Sequence, residues 1–286
     1  MKMKFPLSLL VVSIYLIGFS ACLSEKRTPE EDTSSANDTS IVKKEDNHEK
    51  IQQIKKIFHS LPSPLELTLL FKEEGIEYNR NKLHPTEKRE GYLTSTKKAL
   101  NLGVYGADLS YTGLFGEHQD AIQYFTVTHL LAAEVGIEQT FEKEFISRLE
   151  KNSNNKDTLL NVIGEFFLNN DRYLKDHKQQ DISSYVLAGG WIEGMYLGTS
   201  MANSNNNSKG IRDIIAGQQP SLKNLIAVLQ NIKKNEEGVE FITAIEELES
   251  LFPQLVDKEG SQYELSDSSL VVIRKKVASI RSLITN

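Results

Sequence analysis

From Ile51 onward, apolar residues recur at three- and four-residue intervals and almost nowhere alternate with polar ones. Ile51, Ile54, Ile57, Phe58 and Leu61 make the first such stripe, the mark of a helix with one buried face. The next helix carries its own punctuation. Ser63 serves as N-cap, Pro64 as first helical residue, Glu66 as the partner in a capping box, and Gly75 as the C-terminal stop. The polar run 79–91 predicts a connection. Beyond it the spacing predicts helices near 92–114, 118–135, 139–151, 156–176, 182–203, 209–216, 221–234, 239–252 and 266–285. In the last, Leu270, Ile273, Val277, Ile280 and Ile284 form the stripe, and Ser266 or Asp267 the cap. Segments rich in Asn, Ser, Gly or Pro separate several of these helices, as at Asn203–Ser208 and Gly217–Pro220. No period-two run predicts a strand. The pattern predicts an all-α fold, a multi-helix bundle or helical-hairpin array of about ten helices with no sheet. It places a single domain over 49–286.

Two of these helices are rich in glycine. In 182–203, Gly190, Gly194, Gly198 and Ala202 follow one another at intervals of four, so they share one side of the helix. Glycine costs about 1 kcal/mol against alanine inside a helix, so the stripe implies a neighbouring helix backbone at close range. Leu187, Trp191, Ile192, Met195, Tyr196, Leu197 and Met201 make the rest nearly all apolar, which places the helix centrally. Small residues at this spacing also pack membrane spans, but Glu193 lies mid-segment and argues for a soluble core. Helix 92–114 carries Gly103 and Gly106, with Thr94, Asn101, Asp108 and Thr112 on a polar side. Ala99-Leu100 with Gly103 loosely matches Val186-Leu187 with Gly190 at an offset of 87 residues, a hint of internal duplication.

The apolar run Phe5–Phe19 stands apart from the helical pattern. Lys2 and Lys4 precede it, and Ser20-Ala21-Cys22 follow. A short positive start, an apolar core and small residues before a cut describe a secretory signal over 1–21. Residues 23–48 are polar and charged, too poor in apolar surface to repay ordering. They predict a tether, with Cys22 at its head, of typical span about 25–30 Å. Cys22 is the only cysteine, so neither a disulfide nor a cysteine metal site is available. Removing 1–21, with Lys2 and Lys4, from 33 basic residues leaves 31 against 39 acidic ones, a formal charge of −8. That balance gives no electrostatic help toward nucleic acid.

Phe19-Ser20-Ala21-Cys22 resembles a bacterial lipobox. The string Lys98-Ala99-Leu100-Asn101-Leu102-Gly103-Val104-Tyr105-Gly106-Ala107-Asp108-Leu109-Ser110-Tyr111 resembles a hallmark of uncharacterised Bacteroidetes lipoproteins. The Ser63-Pro64-x-Glu66 start and Gly190-Trp191-x-Glu193-Gly194-x-Tyr196 are similar to other stretches of that group. The resemblance implies lipid attachment at Cys22 and an all-helical body at the envelope. It implies the outer membrane rather than the inner, with the body facing the periplasm or the cell surface. It brings no catalytic residue with it.

Asp108 and Glu193 are the carboxylates to examine for chemistry, each beside aromatic residues in a glycine helix. With Asn101, Tyr105, Tyr111, Trp191 and Tyr196 they make a candidate pocket or packing set. An acid–base pair there would suit an envelope enzyme such as a hydrolase, or a small-ligand site. The plainer reading leaves Asp108 capped or solvated and Glu193 hydrogen-bonded in the core. His118 and His129 sit about 16 Å apart along one helix and cannot share a metal there; His59, His84 and His177 lie elsewhere. Neither metal nor cofactor is expected. Arg274-Lys275-Lys276 and Arg281 form a basic strip read as a solvated helix face. The chain thus reads as a lipid-anchored envelope protein with a helical binding or structural domain. Its partners are the membrane through Cys22 and an envelope protein, peptidoglycan or small ligand.

Overall fold

In the computed structural model, Ser63 caps its helix as its position requires. Its Oγ accepts the Glu66 N–H at 3.2 Å, and Glu66 Oε2 accepts the Ser63 N–H at 2.6 Å, satisfying two donors that the helix itself leaves open. The structure describes residues 62–137, 147–148, 151, 155–202, 208–259 and 262–286, which fall in one compact unit, Asp46–Asn286. The predicted helix over 51–61 lies outside them, as does most of that over 139–151.

Nine α-helices occur among the described residues: α1 (Pro64–Glu73), α2 (Ser95–Phe115), α3 (His118–Glu134), α4 (Lys156–Asp176), α5 (Gln180–Met201), α6 (Ser208–Ala216), α7 (Gln219–Gln230), α8 (Glu236–Leu255) and α9 (Asp267–Thr285). The fold is all-α, a multi-helix bundle. One departure from the expected absence of strands is a two-stranded antiparallel ribbon, β1 (Val256–Glu259) against β2 (Gln262–Leu265). Four residues a strand are too few to display an alternation. The 79–91 connection holds two 3₁₀ turns, Arg80–Lys82 and Thr86–Gly91.

α2 and α5 make the most extensive pairing and form the centre. Every residue from Ala99 to Leu114 is buried, so the polar side read into α2 faces other helices rather than water. α3 covers α2, α9 covers α5, α1 and α4 pack on both, and α8 packs on α9. α2 ends at Gly116, whose φ of +76° suits glycine best.

Close approach occurs at this crossing, on different residues from the stripe. A Cβ built on Gly189 would fall onto the carbonyl of Leu100, and one on Gly103 onto the carbonyl of Val186 and, at 2.5 Å, the nitrogen of Gly190. Gly194 and Gly198 instead receive the side chains of Leu67 and Phe71 from α1. Gly190 does both, meeting Pro64 Cγ at 2.7 Å and the Gly103 carbonyl oxygen at 3.4 Å. The stripe is thus a seat for α1, and the backbone contact lies at its edge.

Candidate functional site

α2 brings Asp108 to the crossing, α5 brings Glu193, and α9 brings Arg281. Both carboxylates are fully buried. Arg281 holds Glu193 by two parallel bonds, Nε to Oε2 at 2.5 Å and Nη2 to Oε1 at 2.9 Å. Its guanidinium lies 4.1 Å from the ring centroid of Tyr196, a cation–π contact in a desolvated setting. This overturns the reading of Arg281 as part of a solvated strip. Arg274 also turns inward, with Nη2 donating to the Ala202 carbonyl at 2.8 Å. Arg274 and Arg281 are seven residues apart and flank the apolar stripe of α9, a spacing that was present in the sequence.

Asp108 completes the group. Its Oδ2 accepts the backbone N–H of His84 at 2.9 Å. Its Oδ1 is buried with no donor aimed at it, and Glu193 is within hydrogen-bond reach. Two ionised carboxylates would repel in that arrangement, and a proton on one of them relieves the repulsion. Burial raises the Asp108 pKa well above the usual carboxylate range, and the Glu193 charge raises it further, against lowering contributions from Arg281 and the His84 N–H. The cluster is therefore a carboxyl biased toward its neutral form beside a buried ion pair.

Aromatic hydroxyls close the surroundings. His84 Nε2 lies 2.6 Å from the Tyr92 hydroxyl, and Tyr124 donates to the His84 carbonyl at 2.9 Å. Tyr105 donates to the Pro85 carbonyl at 2.8 Å. Burial, then the Arg281 and Lys88 charges, push His84 down to about 3, so its ring is neutral at physiological pH. Burial lifts Tyr92 to about 12 and raises Tyr105 and Tyr124 further. None of these groups is poised to exchange a proton near neutrality.

The other candidate residues disperse. Asn101 Nδ2 donates to Ile284 O at 2.7 Å, holding the end of α9. Tyr111 accepts the Asn79 N–H and donates to the Glu77 carbonyl, both at 2.8 Å. Trp191 points toward Gln218, Nε1 to Oε1 3.4 Å. Cys22 lies outside the described residues. His84 was missed because its contribution is a backbone N–H, which any residue but proline supplies. Among the described residues no group of three or more His, Cys, Asp or Glu is placed to hold a metal, and no helix is long and apolar enough to cross a membrane.

The proton on Asp108 has a measurable consequence. The folded state keeps that proton to higher pH than the unfolded chain, so this group's contribution to stability falls as pH rises above about 4. Asp108→Asn supplies an amide N–H donor that does not ionise. It should raise the Tm at pH 8 relative to the parent, an advantage that shrinks toward pH 4. Parallel Tm curves for the two proteins between pH 4 and 8 would show Asp108 to be ionised in the fold.

An open cavity lies elsewhere, between the start of α1, α2, α4 and α5. It has a volume of about 330 Å³, at the small end of ligand pockets. Leu65, Leu102, Phe167, Leu174, Val186 and Leu187 give it apolar walls. Gly164 on α4 lies in the wall, and a Cβ there meets nothing within 4 Å. Leu168, 57 % exposed, stands at the edge. Ser63, Asn170, Asp171, Lys175 and Ser183 are its polar lining, with Lys175 paired to Asp171 at 2.5 Å. Neither Asp108 nor Glu193 lines it. The chain matches no family model, no curated protein and no solved structure.

Proposed function

We propose that this is a lipid-anchored protein of the bacterial cell envelope whose helical body is a binding module for a small apolar ligand. The apolar cavity between α1, α2, α4 and α5 carries the binding half of that reading. The signal-like 1–21 run ending at Cys22 supports the anchor. The alternative, an envelope hydrolase using Asp108 and Glu193, needs a substrate to reach groups with no exposed surface. Glu193 is held by Arg281, and Asp108 accepts from the His84 backbone.

Each half has its own test. Cys22→Ala should move the protein from the membrane pellet to the soluble fraction and abolish the acyl mass on its N-terminus. Full retention in membranes with normal processing removes the anchor. For the cavity, the reporter is N-phenylnaphthylamine, whose fluorescence rises in apolar surroundings. The folded protein should enhance it saturably, and Gly164→Phe should abolish the enhancement by filling the space. Equal enhancement in both proteins would remove the cavity as the binding site.

A further inference from the structure

We infer that residues 51–61 of this chain dock on the mouth of the cavity, and that a ligand binds there by displacing them. The inference rests on the binding reading above and adds its regulation. It starts from where the chain enters the body. Pro62 is the first described residue, and Ser63, Pro64 and Leu65, immediately after it, all line the cavity. Whatever precedes Pro62 therefore begins at the cavity wall. Ser63 is extended, with φ −64° and ψ 157°. Leu61, like Ser63, precedes a proline, which turns it away from the helical region. Residues 51–61 and α1 thus cannot form one continuous helix.

These preceding residues carry an apolar face in need of a surface. Placed on a helix, Ile51, Ile54, Ile57, Phe58 and Leu61 fall within one arc of about 120°, and Gln52, Gln53, Lys55, Lys56, His59 and Ser60 fall outside it. So short a helix does not hold alone in water. The cavity offers it apolar walls in Leu65, Leu102, Phe167 and Leu187. Apolar surface also continues past the mouth: Leu168 at the edge is 57 % exposed, and Leu69, one turn along α1 from Leu65, is 41 % exposed. A second segment outside the described residues begins at the cavity, after Ile137, but its far end is tied elsewhere. Arg148 donates to the Glu165 carboxylate through both Nη atoms, at 2.5 and 3.1 Å, and Glu165 lies roughly 130° round α4 from the middle of the lining face. Residues 51–61 and a ligand use the same walls, so they exclude one another. The apparent affinity for ligand is then set by how often this segment is away.

The test uses the processed chain, 22–286, carrying Cys22→Ala, which leaves it without cysteine. Phe58→Cys with Leu168→Cys puts one thiol on the apolar arc and one at the mouth. Lys56→Cys with Leu168→Cys puts the first thiol on the opposite side. Mild oxidation should close the 58–168 disulfide and not the 56–168 one, because the bond needs Cα atoms within about 7 Å. N-phenylnaphthylamine reports the competition. Ile54→Asp with Phe58→Asp should tighten its apparent Kd about tenfold, the factor for a competitor docked about nine-tenths of the time. The 58–168 disulfide should suppress the fluorescence enhancement, and reduction should restore it. Equal cross-linking from both faces, or from neither, overturns the docking. Unchanged dye affinity in the double Asp variant overturns the competition, and weaker affinity does so by making the segment a wall of the site. A 58–168 disulfide with no enhancement in any of these proteins upholds the docking and overturns the ligand-binding reading beneath it.

Discussion

Gly189→Val should yield no stably folded protein, or one whose Tm is lower by on the order of 10 °C. The position lies where α5 crosses α2, and any Cβ there would occupy the space of the Leu100 carbonyl. A side chain can rotate away from an intruder; the backbone of a buried helix moves only if the helix moves. Overpacking of cores costs typically about 1–3 kcal/mol and more where the backbone must shift. A chain of this size loses about 2–4 °C per kcal/mol. Gly103→Val should behave alike from the other side of the crossing, through the Val186 carbonyl. Gly164→Ala is the matched control. Its Cβ enters open space, and alanine is the better helix former by about 1 kcal/mol, so its Tm should hold or rise. Thermal unfolding followed by circular dichroism decides the matter. A Gly189→Val protein as stable as its parent would mean that α2 and α5 do not meet as described.

Arg281→Met should cost about 3–5 kcal/mol, the usual consequence of removing one partner from a buried ion pair. Glu193 has no exposed surface, so water cannot replace the two bonds Arg281 gives it. Asp108 supplies no counter-charge, being a second carboxyl rather than a cation. Arg281→Met combined with Glu193→Leu should recover most of the loss, because the pair then leaves together. Denaturant unfolding of the two single variants and the double closes the cycle. Independent, additive losses would place Arg281 and Glu193 apart in solution. A loss under about 1 kcal/mol for Arg281→Met alone, the value of a surface pair, would show the site to be wet.

The two sets of residues differ in how far the sequence disclosed them. The capping box at Ser63, the stripe on α9 and the central, nearly all-apolar α5 were legible because local spacing dictates them. The buried stretch Ala99–Leu114 of α2 was not, because its Thr, Asn and Asp residues suggest a wet side until their partners are known. Asp108 and Glu193 stood out as carboxylates in glycine-rich helices, yet their meaning depended on Arg281. That residue comes from a helix 88 residues beyond Glu193, and the apparent continuity of its basic strip disguised it. The cavity was invisible for a different reason: its walls are ordinary leucines and valines from four elements, and only their arrangement leaves room between them. The β1–β2 ribbon fell below the length at which alternation becomes a signal.

The late position of Arg281 also bears on how the chain is made. Synthesis runs from α1 toward α9, so α2 and α5 exist together well before their counter-cation. Until α9 arrives, sealing the α2–α5 crossing would trap the Glu193 carboxylate without its partner. The buried ion pair therefore couples closure of the α2–α5 crossing to the docking of α9.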